Sequence, residues 1–213
     1  PLDWEAMLEF LSARLYAGAE AVVGGRYLRT VEVRGCIGWV RVEPTASGNV
    51  LSVELAPELG RVVPVVLRKL RRLFDVDAEP QRIAERLGKL ARENPGLRLP
   101  GAFDGYEVAV RAVLGQQISV KAATTMAGRF AVAFGVPIDT PFPELTRLVP
   151  TCATVAKAAP TELSAIGVTS ARARTLVNLS KAMAENPHLL EPGADIEAAL
   201  ARLKELPGIG EWT

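Results

Sequence analysis

Few residues in this chain are equipped for chemistry. His188 is the single histidine, set in a turn after Asn186 and Pro187, and the two cysteines, Cys36 and Cys152, stand far apart. One imidazole and two distant thiols give neither a Ser-His triad nor a metal cage, and they make no disulfide framework. The segment with the sharpest local geometry is "LPGIGEWT", Leu206 to Thr213. Glycine there permits positive φ and a close approach of a partner to the backbone. Ile209 can plug inward, and Glu211, Trp212 and Thr213 would open a following helix. N–H groups aimed outward at such a helix start make Gly208 and Gly210 a candidate phosphate site that needs no net positive charge. The plainer reading of the same residues is a helix–helix turn with a glycine cap. A second cluster, "LRKLRRLF", places Arg68, Lys69, Arg71 and Arg72 close together, and its plainer reading is a solvated helix face.

The elements that must position these residues fall into two regions. The chain has 213 residues, 49% hydrophobic, with 25 basic and 24 acidic residues and a formal net charge of +1. That length allows one large domain or two to three small ones, and that charge neither requires nor excludes nucleic acid. No apolar run reaches the length of a membrane span, and no signal peptide opens the sequence, so a soluble cytoplasmic protein is expected. "DWEAMLEFLSARLYAG" reads as a helix capped by Asp3, with Met7, Leu8, Leu11 and Leu15 on one face, ending near Gly18. "RYLRTVEVRG", "CIGWVRVEP" and "VLSVELAP" are short, β-branched and partly alternating, which predicts a small antiparallel sheet. "VVPVVLRKLRRLFDV" returns to helical spacing. Residues 1–76 thus read as an α+β domain with a small antiparallel sheet. Residues 77–213 read as all-helical, made of short punctuated helices with Ser119, Ser170 and Asp195 as candidate caps.

Several motifs in this order carry a resemblance. "LPGIGEWT" resembles the hairpin of the helix-hairpin-helix DNA glycosylases. "LRLPGAFDGYEVAVRAVLGQQISVKAA" resembles the gap-filling segment of the same superfamily, and "LSAIGVTSARA" lies between them. Along almost its whole length the chain is similar to the AlkA-type bacterial 3-methyladenine DNA glycosylases. That module also occurs fused behind an Ada-type methyltransferase region, and a sequence opening on Pro1 fits a piece of such a fusion.

The resemblance implies a base-excision repair hydrolase acting on double-stranded DNA as a monomer. It would flip out an alkylated base of the 3-methyladenine type and hydrolyse its N-glycosidic bond. Trp212 and Phe10 match pocket aromatics, which can attract a positively charged base. Gln116 and Gln117 match the loop that meets the lesion. The polar Gln117 stands where the family carries a bulky apolar wedge, so gap-filling is its implied role. Gly208, Gly210 and Thr213 match the DNA-binding hairpin. No cofactor is implied as a requirement, but the backbone carbonyls of Lys204, Leu206 and Gly208 match ligands of a monovalent cation. The family's catalytic Asp is expected beyond Thr213, so these 213 residues are expected to lack it, while Asp104 and Asp195 read as helix caps. Two alternatives stand beside this reading. One is a non-catalytic helix-hairpin-helix DNA-binding module. The other is a sister glycosylase for oxidised bases, which would use a Lys nucleophile.

Overall fold

The computed structural model describes residues 2–47, 50–191, 193, 195–211 and 213. The chain opens with helix α1 (Trp4–Ser12), capped by Asp3, whose carboxylate accepts the Ala6 N–H at 3.0 Å. This helix ends at Ser12, short of the Gly18 expected from its periodicity. Tyr16 instead turns into the second core, where its own N–H is accepted by Glu20 at 2.9 Å.

Four strands follow: β1 (Glu20–Val23), β2 (Arg26–Val33), β3 (Cys36–Pro44) and β4 (Leu51–Leu55). They form one antiparallel meander in the order β1-β2-β3-β4. Two-residue turns with positive φ make the first two connections, Gly24-Gly25 at 56° and 75° and Arg34-Gly35 at 51° and 76°. Both central residues being left-handed suits the right-handed twist of a hairpin. Strand β2 is buried on both faces. Tyr27, Val31 and Val33 meet α1 and helix α2 (Val63–Leu73), while Leu28 packs with Ala21 and Leu145 on the other side. Trp39 meets Phe142 edge-on there, at 4.9 Å between ring centroids.

Among the described residues no strand follows β4. The helices are α3 (Pro80–Leu87), α4 (Lys89–Glu93), α5 (Gly105–Gly115), α6 (Val120–Phe134), α7 (Cys152–Val155), α8 (Pro160–Ala165), α9 (Ser170–Glu185) and α10 (Ile196–Lys204). Ser119 caps α6 and Asp195 caps α10, accepting the N–H groups of Ala122 at 3.2 Å and Ala198 at 3.1 Å. Ser170 is not a cap. It is the first residue of α9, and Thr169 precedes it without a side-chain hydrogen bond to the helix. Helix α9 is the centre of the second core, with Ala173, Leu176, Leu179 and Met183 buried, and it packs against α5, α7 and α8.

Candidate nucleic-acid interface

The hairpin after α10 is held from below. Leu206 and Ile209 are half-buried against the helical core, and the Ile209 N–H closes the turn on Leu206 O at 3.0 Å. Thr175 of α9 supports it from the side, its hydroxyl 2.8 Å from Pro207 O. Gly208 has φ of 91°, and a Cβ there would overlap the Thr175 hydroxyl. Glycine is therefore required at 208 by both backbone conformation and space. Gly210 differs: its φ is outside the left-handed region, and a Cβ would meet nothing within 4 Å among the described residues. The conformational demand thus falls on Gly208, and Gly210 leaves an open backbone surface. Among the described residues the Gly210 N–H has one contact, a long one with Thr213 Oγ1 at 3.4 Å. Lys204 and Glu211 close the base of the turn with an exposed 2.7 Å ion pair. Trp212 lies outside the described residues.

The loop between α5 and α6 sits beside this turn. Gln116 ends α5, and its side-chain Nε2 donates to Gly208 O at 2.8 Å and to Thr213 Oγ1 at 2.9 Å. A carbonyl can face only a donor, so Gly208 O fixes the orientation of the Gln116 amide. Gln117 is exposed and left-handed, with φ of 57°. The structure therefore joins Gln116, Gly208 and Thr213, and leaves Gln117 projecting beside them.

Phe10 stands on α1. It lines a cleft of about 230 Å³ between α1, residues 100–103 and α5, with its ring 40% exposed. The Arg14 guanidinium stacks over that ring at 3.7 Å. The floor of the cleft is an ion-pair network that sequence reasoning missed. Arg29 of β2, fully buried, donates to both oxygens of Glu107 on α5, at 2.8 and 2.9 Å, and stands 3.5 Å from Glu20. It also lies 3.9 Å over the Phe103 ring. Burial pushes the Glu107 carboxyl up to about 7, against the opposing pull of Arg29. Burial likewise works against the charge on Arg29, but Glu107, Tyr27 and Glu20 outweigh it, so the guanidinium stays charged. Nothing in the sequence announced this pair, whose members are 78 residues apart.

Other charged residues are committed locally. Asp104 accepts the Tyr106 N–H at 2.9 Å and pairs with Lys69 at 3.1 Å. Arg71 pairs with Asp77. The basic cluster on α2 is thus partly engaged by neighbouring acids. Cys36 and Cys152 are unbridged, and His188 is exposed. Among the described residues no helix is long and apolar enough to cross a membrane.

Residues 1–104 match the AlkA N-terminal domain, and residues 110–209 match the HhH-GPD superfamily of base excision DNA repair proteins. The chain is 38% identical to DNA-3-methyladenine glycosylase 2 of Escherichia coli, over all of its 213 residues and 75% of that protein. It is 35% identical to a probable bifunctional transcriptional activator/DNA repair enzyme AlkA of Mycobacterium tuberculosis, again over the whole chain but only 43% of that protein. Its fold is similar to that of a 3-methyladenine DNA glycosylase from Archaeoglobus fulgidus, with a TM-score of 0.80 and 24% identity over 98% of this chain and 72% of the other.

Proposed function

Because the chain belongs to the AlkA family of helix-hairpin-helix base excision DNA glycosylases, we propose that it serves a protein that binds double-stranded DNA, flips out an alkylated base of the 3-methyladenine type and hydrolyses its N-glycosidic bond. The observation that carries this reading is the hairpin. Gly208 is packed onto Thr175, so the turn is rigid, and Gly210 presents uncovered backbone to the outside. Backbone N–H groups of this kind hold a phosphate and position a duplex without reading its sequence.

The chemistry follows from the substrate. The target atom is hidden in the base stack, so the nucleotide must leave it. Gln117, exposed at the tip of its loop, is placed to fill the vacated space. An N3- or N7-alkylated purine is cationic and already a good leaving group; the resemblance assigns it the aromatic faces of Trp212 and of Phe10, and the Phe10 residue is 40% exposed. The carboxylate that would stabilise an oxocarbenium-like sugar is expected beyond Thr213. A monovalent cation is compatible with the carbonyls of Lys204, Leu206 and Gly208. Among the described residues Leu206 O and Gly208 O each accept one hydrogen bond, and a carbonyl oxygen has a second lone pair. Such a cation would offset the dipoles of the carbonyls that hold it and add positive field to the hairpin. The protein would act as a monomer in the cytoplasm.

The test is Gly210→Val in the full-length protein. It should weaken binding to methylated and unmethylated duplexes alike, by about 1–3 kcal/mol, while the melting temperature holds. Unchanged affinity in a folded variant would make the turn a helix connector only. A loss confined to the methylated duplex would move the turn into the lesion pocket.

A further inference from the structure

We propose that Gln116 is a positioning residue: it latches the lesion-facing loop to the hairpin, and so fixes where Gln117 stands relative to the bound phosphate. This rests on the glycosylase reading of the site. An amide NH2 has two hydrogens, and in Gln116 they go to Gly208 O at 2.8 Å and Thr213 Oγ1 at 2.9 Å. Both acceptors lie more than ninety residues away in sequence and on the hairpin. The donors of Gln116 are therefore used within the protein, and direct contact with DNA falls to Gln117. The hairpin does not need this latch in order to fold, because Thr175 holds Pro207 O and Leu206 and Ile209 pack inward. The loop does need it. Among the described residues the tip of the loop is tied only by long backbone bonds, Gln116 N–H to Val113 O at 3.4 Å and Ile118 N–H to Gly115 O at 3.3 Å. Gln117 between them is left-handed without being glycine, a conformation that its surroundings must impose.

A latch and a DNA contact make different demands on energetics. If Gln116 acts through the hairpin, losing it spoils alignment at the lesion and spares the phosphate grip. Single-turnover base release should then fall about tenfold in Gln116→Ala, on the scale of one or two lost hydrogen bonds. Affinity for undamaged duplex should stay within about twofold of wild type, the spread of ordinary surface changes. Thr213→Val removes one acceptor of the latch. It should slow base release severalfold in the wild-type background and have little further effect once Gln116 is Ala, because contacting residues are not additive.

The experiment is this double-mutant cycle in the full-length protein, read by single-turnover release from methylated duplex and by anisotropy on undamaged duplex. A second reading, amide exchange of residues 115–118 in the DNA-free protein, should show faster exchange in Gln116→Ala. Equal effects of Thr213→Val in both backgrounds would overturn the proposal. So would a loss of duplex affinity that matches the loss of rate. If wild-type protein releases no base, the glycosylase reading fails by itself, and the latch is then decided by amide exchange, where unchanged protection would reject it.

Discussion

Gly208→Ala probes the joint on which the hairpin rests. The residue has φ of 91°, and its missing Cβ would fall on the Thr175 hydroxyl. A left-handed backbone costs a non-glycine residue about 1–2 kcal/mol. Forcing an extra methyl into a packed contact costs about 1–3 kcal/mol, and the hydrogen bond from Thr175 to Pro207 O that must yield is worth about 1 kcal/mol. The sum is roughly 3–6 kcal/mol, or about 6–24 °C in melting temperature for a protein of this size. Most of it arises at one hydroxyl. In a Thr175→Ala background that hydroxyl is gone, and the cost of Gly208→Ala should fall to about 1–2 kcal/mol, the backbone part. Gly210→Ala is the control: among the described residues nothing lies within 4 Å of its Cβ, and stability should stay within about 0.5 kcal/mol. Urea melts of the four members of the cycle and the control decide it. A Gly208→Ala cost under about 1 kcal/mol, or a cost unrelieved by Thr175→Ala, would refute the packing described for this turn.

At pH 8, where Glu107 is ionised, Arg29→Met should destabilise the fold by about 3–5 kcal/mol, because it leaves that carboxylate buried without its guanidinium; denaturant melts check it. Glu107 has a carboxyl lifted to about 7 from an ordinary value of 4.5, so the folded state holds its proton more tightly than the unfolded state does. Its contribution is therefore complete below pH 4.5 and is lost as pH rises through 7, by at most about 3 kcal/mol. Melting in a pH series should show this slope, and Glu107→Gln should flatten it. Phe10→Leu keeps apolar bulk and removes the π face. It should slow release of a cationic alkylated base by about two- to thirtyfold, with melting little changed, since the ring is 40% exposed.

The order of elements was legible because it rests on local patterns. Alternation in "CIGWVRVEP" marks β3, and Asp3, Ser119 and Asp195 carry oxygens that accept helix N–H groups where expected. Boundaries set by tertiary contacts were less legible. The periodicity of α1 runs on through Leu15, but Tyr16 is pulled into the second core and the helix stops at Ser12. Ser170 has the chemistry of a cap, yet it falls inside the first turn of α9. At the hairpin, the tandem glycines indicated a tight turn. Which of them carries the positive φ depends on Thr175, 33 residues before Gly208, and no local pattern reveals that. The same holds for Arg29 with Glu107 and for Gln116 with Gly208, pairs that exist only once two distant segments are packed together.

Base release from methylated duplex DNA is the most direct test of the function. The protein as its gene encodes it, purified beside a mock preparation, is incubated with alkylated duplex, and the free bases are separated by chromatography. Release of intact 3-methyladenine well above the mock, leaving abasic sites and an unbroken strand, is the expected result. Absence of release by a folded protein that still binds duplex would contradict it and leave a helix-hairpin-helix binding module. Strand cleavage through a covalent intermediate trapped by borohydride would point instead to a lysine nucleophile and a different glycosylase class.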